Sequence, residues 1–225
     1  MSYNPAFDGP LLQQAPPSKP FCERLVVPQH AGQWGFILQQ RLFSLSGNDF
    51  TVRNLFGQDV VVVSGKMFSM SRRTMIRGVD GSPIVEISKK ILGFHSTHYL
   101  TNPASGKIIA TARLRLSSFF PMIELYEGEA YDQPAALMLT LGGDVFGFRW
   151  SVINKYSQCV AKAVHTGGFA GGFNTYGYNV CPDTYMVDVA AGVDSTFILA
   201  LIIIMEEIHE ERERARERER YNNGF

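Results

Sequence analysis

Apolar residues along most of this chain occur in short runs separated by polar turns, a pattern typical of paired β-strands. From residue 36 onward the turns recur every 24 to 26 residues, with centres at Gly57, Gly81, Gly106, Asp132, Tyr156 and Pro182. Apolar runs flank the turns and predict six hairpins: Phe50–Val52 with Val60–Val63, Met75–Ile76 with Ile84–Ile87, Tyr99–Leu100 with Ile108–Ala112, Ile123–Tyr126 with Leu137–Leu141, Phe146–Val152 with Val160–Val164, and Tyr176–Val180 with Met186–Val189. Six hairpins correspond to about twelve strands.

Near the C-terminus the pattern changes, because Phe197 to Met205 are nine consecutive apolar residues. This run is less than half of the roughly 20 residues that a membrane-spanning helix needs. It is apolar on every side, which is typical of a helix surrounded by protein. Twelve strands favour a closed antiparallel barrel, whose interior is too wide for its own side chains to fill. We therefore expect a mainly β fold with a buried C-terminal helix near residues 194–208, capped by Asp194 or Ser195.

The two ends of the chain differ from this central part. Residues 1–33 are predicted to be a disordered, Pro-rich arm, since six of the eleven prolines fall within the first 30 positions. Pro17-Ser18-Lys19-Pro20 fits the minimal PxxP pattern, which makes the arm a candidate ligand for a protein partner. The barrel domain is predicted for residues 34–209. Residues 210–225 form a charged tail of alternating Arg and Glu, predicted to be a solvated extension.

The composition limits the cellular compartments and the classes of partner that we expect for this protein. The formal net charge is zero, so no overall field attracts nucleic acid, and no nucleic-acid partner is expected. Three cysteines are too few and too scattered for a disulfide framework or a zinc site. We find neither a secretory signal nor a transmembrane segment. These features indicate a reduced, cytoplasmic protein that is either free in solution or peripheral on membranes.

A catalytic constellation is not evident from the sequence. His95 and His98 have the spacing of a helical metal site, but on a strand they point to opposite faces. Cys159 lies in an apolar run, which favours an inert thiol. The glycines of residues 167–173 lack the order of a phosphate-binding loop. We therefore expect a protein that is not an enzyme and that uses no metal and no cofactor.

A local cluster of positive charge is the best functional candidate. Between residues 66 and 90 there are six basic side chains and two acidic ones. Pairing of consecutive hairpins would bring the candidate residues near one another on the barrel exterior; they are Lys66, Arg72, Arg73, Lys89 and Lys90. Such a cluster attracts anionic lipid headgroups, and arginine adds bidentate hydrogen bonds to phosphate. The alternative is that these are solvated exterior positions, which have to be polar in any barrel.

Several motifs resemble the LURP-one-related family over roughly residues 36–209. They are Arg41 to Val52 with the following Gly57, Val63 to Arg73, Asp80-Gly-Ser-Pro, Ile87 to His95, Asp183 to Val189, the Val193-Asp194 pair, and the apolar helix ending in Met205-Glu-Glu. The sequence departs from the family pattern at Ser96-Thr97-His98-Tyr99, so ligand contacts are not carried over to that strand. Residues 167–173 look like an extra loop.

This resemblance implies the fold shared by Tubby C-terminal domains and phospholipid scramblases, a twelve-stranded barrel around a buried C-terminal helix. Tubby-like domains bind phosphoinositide headgroups through exterior basic residues, and scramblases are linked to lipid movement and calcium. The LURP-one-related proteins are associated with plant defence and stress responses. Three hypotheses remain open: a non-catalytic module that binds anionic phospholipid headgroups, a protein-interaction scaffold without lipid binding, and a scramblase-like function.

Overall fold

The structure, a computed structural model, describes residues 7, 9–15, 20–28, 33–40, 49–66, 73–90, 96–116, 121–131, 133–143, 149–166 and 184–222. Within these residues twelve antiparallel strands form a closed barrel. The strands are β1 Gln33–Gln40, β2 Phe50–Asn54, β3 Asp59–Lys66, β4 Arg73–Gly78, β5 Pro83–Lys89, β6 Thr97–Thr101, β7 Ile108–Leu116, β8 Pro121–Glu127, β9 Leu137–Gly143, β10 Arg149–Asn154, β11 Cys159–His165 and β12 Thr184–Ala190. Together with a C-terminal helix, Ser195–Asn222, they confirm the predicted fold class.

Neighbouring strands in the ring are consecutive in sequence, except where β12 pairs with β1 and closes it. The register there places Trp34 opposite Val189 and Leu38 opposite Tyr185. Every strand therefore has a partner on both edges, and the ring exposes no free sheet edge. Alternate residues of each strand point inward, as in β3, where Val61 and Val63 are fully buried.

Five of the six predicted hairpins are present: β2–β3, β4–β5, β6–β7, β8–β9 and β10–β11. The prediction of the sixth hairpin was wrong, because its second strand is β12 and both edges of β12 are paired with other strands, β11 and β1. Its proposed first strand, Tyr176–Val180, lies outside the described residues. The twelfth strand is instead β1, about 150 positions before its partner. A search for local hairpins cannot detect so distant a pair.

The helix begins at the barrel end that carries the five hairpin turns, which we call the turn end. Its N-cap is Asp194, whose Oδ1 accepts a hydrogen bond from the Thr196 amide at 2.9 Å. Residues 198–205 are buried on all sides by the barrel wall. The helix leaves the barrel near Ile208, at the end we call the mouth, and continues to Asn222. The predicted span of 194–208 thus covers only the buried half, and the charged tail extends the same helix.

Described parts of the N-terminal arm pack on the turn end, a contact that the prediction of disorder did not include. Ala15 and Val27 are buried there. The Val27 amide donates to the Val193 carbonyl at 3.0 Å. Apolar residues within the Pro-rich segment supply the contact surface. The amides of Phe21 and Cys22 also donate to Oδ2 of Asp194, at 2.7 and 2.9 Å, so one carboxylate joins the arm to the helix start.

We expect Asp194→Ala to lower the free energy of unfolding by about 2–4 kcal/mol, because three amides lose a charged acceptor in a buried site. Urea denaturation measures this change. Asp59→Ala is the matched control, since Asp59 is exposed and pairs with Arg53. It should cost less than about 1 kcal/mol. Equal losses in the two variants would contradict the structural role of Asp194.

We expect Gly143→Ala to destabilise the barrel by about 1–3 kcal/mol through overpacking. A Cβ atom on Gly143 would lie 1.9 Å from Cδ1 of the buried Trp150 and 2.9 Å from the Arg149 carbonyl oxygen. Thermal unfolding followed by circular dichroism measures the effect. In a Trp150→Leu background most of the steric conflict is gone, so the same glycine substitution should cost less than half as much. An unchanged cost there would show that the indole is not the obstacle.

Candidate functional site at the barrel mouth

The inner wall of the mouth contacts carboxylates of the helix. Lys89 and His98 are paired in register on β5 and β6. Lys89 Nζ lies 2.5 Å from Oε2 of Glu211, and His98 Nε2 lies 3.6 Å from Oε2 of Glu207. His98 and Glu207 are both buried. The wall of the mouth therefore contacts Glu207 and Glu211 just beyond the point where the apolar segment of the helix ends.

A stack of aromatic rings completes the inner mouth on the other side of the helix. The ring of Tyr185 stacks with those of His165 and Trp150, at centroid distances of 4.7 and 5.4 Å. The Tyr185 hydroxyl donates a hydrogen bond to Oε2 of Glu206. The sequence signal for these contacts was the Glu206-Glu207 pair directly after the apolar run. Its partners could not be identified without the strand register.

Outside the mouth, the ends of β3, β4 and β5 meet. Lys66 is opposite Arg73, and Arg73 is opposite Ser88. The Arg73 side chain is exposed, and its Nη1 lies 3.3 Å from Oε1 of Glu86. The side chain of Lys66 and the whole of Arg72 lie outside the described residues.

Lys90 extends this basic region toward β7. Its amide donates to the Thr97 carbonyl at 2.8 Å, and Thr97 is opposite Arg113. Lys90 Nζ and Arg113 Cζ lie 5.9 and 5.8 Å from the centre of the Tyr131 ring. Both distances are within the range of cation–π attraction. Arg113 and Tyr131 were not predicted, since they come from a later strand and a loop.

The five predicted basic residues are thus not one exterior cluster. Lys89 alternates with Val85 and Ile87 on the inner face of β5, and it pairs with the helix. Its predicted place on the exterior was therefore wrong, because the alternation of β5 turns the side chain at position 89 inward. Arg73 and Lys90 have the opposite parity and lie outside. We call Arg73, Lys90 and Arg113 the outer rim.

The histidine, cysteine and glycine-rich groups named from the sequence are the other candidates for metal binding and reactivity. Within the described ranges, we find no group of three or more His, Cys, Asp or Glu side chains placed to hold a metal ion. Burial raises the pKa of the Cys159 thiol, so the reactive thiolate is disfavoured. His95, Cys181 and residues 167–173 lie outside the described residues. No helix in the described part of the chain is both long and apolar enough to cross a bilayer.

Comparison with known proteins agrees with this architecture. The X-ray structure of a protein from Arabidopsis thaliana is similar, with a TM-score of 0.56 and 14% sequence identity. The match covers 79% of this chain and 91% of the Arabidopsis chain. At this identity the likeness concerns the fold alone. A search of curated proteins gave no match. The LURP-one-related family profile matches residues 35–206, about three quarters of the chain, and the protein therefore belongs to the LURP-one-related family.

Proposed function

We propose that this protein is a non-catalytic module that docks on the cytoplasmic surface of membranes by binding anionic phospholipid headgroups at the outer rim. The observation that carries the proposal is the strand pairing that brings Arg73 and Lys90 to one end of the β3–β5 wall, with Arg113 beside Lys90. Lys66 and Arg72 belong to the same proposed contact, on the basis of the sequence. Phosphoinositides are the proposed headgroup class, as in the Tubby-like domains.

The charged side chains of the outer rim support the proposal of headgroup binding. The contact between Arg73 and Glu86 is an exposed pair, and such pairs contribute at most about 1 kcal/mol. A phosphate group can displace Glu86 and accept two parallel hydrogen bonds from the guanidinium. Lys90 is exposed and lies beside the Tyr131 ring. Each cation close to an anionic leaflet adds roughly 1 kcal/mol to membrane binding.

Lys89 has a different role in this proposal. Its ammonium group is held by Glu211, so we assign it to anchoring of the helix rather than to the headgroup. Charge reversal at Lys89 would place two carboxylates face to face and disturb the fold. The test of membrane binding therefore leaves Lys89 unchanged.

We expect the double variant Arg73→Glu/Lys90→Glu to reduce binding to anionic vesicles at least tenfold, because four units of charge are lost near the bilayer. The measurement is co-sedimentation with phosphatidylcholine vesicles, with and without phosphatidylserine and phosphatidylinositol bisphosphate. It is repeated at low and physiological salt, since screening should weaken the contact.

The matched control is Arg149→Glu/Lys155→Glu, which changes the same charge at two exposed positions. Both lie on or next to β10, six strands from β4 in the ring of twelve and hence on the opposite side of the barrel. The control should bind like the wild type. Equal losses in the two double variants would mean that only the net charge matters, and the rim would not be a site.

A protein partner remains the alternative account. The segments on both sides of the PxxP motif are anchored, since Ala15 and Phe21 donate hydrogen bonds to residues 191 and 194. Residues 17–19 of the motif itself lie outside the described residues. If the wild type binds no vesicle, a protein-interaction barrel is favoured. Pro17→Ala/Pro20→Ala, which leaves the buried contacts of Ala15 and Val27 in place, should then abolish recovery of partners in pull-down experiments.

A further inference from the structure

Two neighbouring hairpin turns present apolar side chains to solvent. Leu55 and Phe56 lie in the β2–β3 turn and are 48% and 81% exposed, and Val79 in the β4–β5 turn is 62% exposed. The strands between these turns, β3 and β4, are paired with Val61 opposite Gly78. At about 4.8 Å per strand, the two turns lie roughly 10 Å apart. We call these three residues the apolar tip.

Three backbone amides of the β2–β3 turn are hydrogen-bonded within the turn. The amides of Phe56 and Gln58 donate to Oδ1 of Asn54, each at 3.0 Å, and the Gly57 amide donates to the Asn54 carbonyl. Gly57 has a φ of +78°, which glycine adopts without strain. The turn can therefore enter a less polar environment without leaving these donors unsatisfied. The hydrogen bonds of this turn do not require an apolar residue at the exposed position of Phe56.

The apolar tip and the outer rim lie at opposite ends of the same wall. Strand β3 joins the β2–β3 turn to Lys66, a span of roughly 23 Å at 3.3 Å per residue. Between the two ends, the outward residues Val60, Val62, Met75 and Ile84 are apolar and partly exposed. The outer face of β3–β5 thus carries apolar side chains between the two ends, with Arg77 near the turn end and Arg73 at the mouth.

We propose that the apolar tip inserts into the interfacial layer of an anionic bilayer, so that the barrel lies on its β3–β5 wall with the tip and the outer rim both in contact with lipid. This orientation rests on the proposed function. The inserted tip is a second membrane contact in addition to the outer rim. Phe56 and Val79 would be buried among headgroups and upper acyl chains, where apolar and aromatic side chains are stabilised.

A bilayer suits the apolar tip better than a protein pocket. Three side chains on convex turns offer much less than the roughly 800 Å² that each partner contributes to a stable protein interface. A fluid bilayer can surround protruding groups without a preformed cavity. Arg53 and Arg77 flank the tip, where Arg53 donates a hydrogen bond to Asp59 and Arg77 donates one to the Gly81 carbonyl. Both are long side chains that would exchange these exposed contacts for phosphate groups when the turns insert.

The chain contains a matched control for this idea. The β10–β11 turn repeats the geometry, since the amides of Tyr156 and Gln158 donate to Oδ1 of Asn154 at 2.9 and 3.0 Å. Tyr156 is 63% exposed at the position equivalent to Phe56. This turn also lies at the turn end, but on the opposite side of the ring from β4. Insertion of the whole turn end would bury Tyr156, whereas docking on the β3–β5 wall would not.

The test compares Phe56→Ser/Val79→Ser with Tyr156→Ser by co-sedimentation with the same phosphatidylserine and phosphatidylinositol bisphosphate vesicles. We expect the double variant to bind at least about tenfold more weakly, from the loss of two inserted side chains. Tyr156→Ser should bind like the wild type. In addition, Phe56→Trp should show extra quenching by brominated phosphatidylcholine relative to the wild type, and Tyr156→Trp should not.

The outcomes separate this inference from the proposed function. Loss of binding in the rim variant with no loss in the tip variant would overturn the inserted tip and leave headgroup binding intact. The reverse result would overturn the headgroup site and leave the tip. Equal loss in Tyr156→Ser would overturn the orientation, since the whole turn end would then insert. Wild-type protein that binds no vesicle would overturn both proposals.

Discussion

A helix that is apolar on every side is stable in water only when it is completely surrounded, and this requirement determines the size of the barrel. A narrower barrel is filled by its own side chains and has no space for a helix. Ring closure by β1 and β12 is equally necessary, because an open wall would leave one side of the helix in water. The wall and the helix therefore supply each other's hydrophobic core.

The polar contacts of the helix are concentrated at the two openings of this core. At the turn end, Asp194 caps the helix and also binds the N-terminal arm. At the mouth, Glu207 and Glu211 contact His98 and Lys89 on the inner wall. Such contacts are specific to one position of the helix in the barrel, because each carboxylate contacts a particular side chain of the wall. Residues of the inner mouth thus act on the position of the helix, whereas the outer rim lies on the outside of the barrel.

Local patterns in the sequence were sufficient for most of the fold. Hairpins are made by neighbouring segments, so alternation and turn residues identified five of them, and the uniform apolarity of residues 197–205 identified the core helix. The pairing of β1 with β12 could not be predicted, since it depends on ring closure and leaves no mark on either strand alone. The arrangement of the basic side chains was predicted less well. Charge density singled out residues 66–90, but the face of β5 on which Lys89 lies depends on strand parity. The contacts of Arg113 and Tyr131 with Lys90 depend on the register of β6 and β7 and on a loop.

The order of elements along the chain has a consequence for biosynthesis. The core helix follows all twelve strands, so during translation the ribosome completes the wall before it releases the segment that fills it. Until then the inward-facing Val, Ile and Leu residues have no partner and are exposed to non-native association. A nascent chain in this state is a substrate for chaperones, and the barrel can reach its final form only after synthesis has passed residue 208.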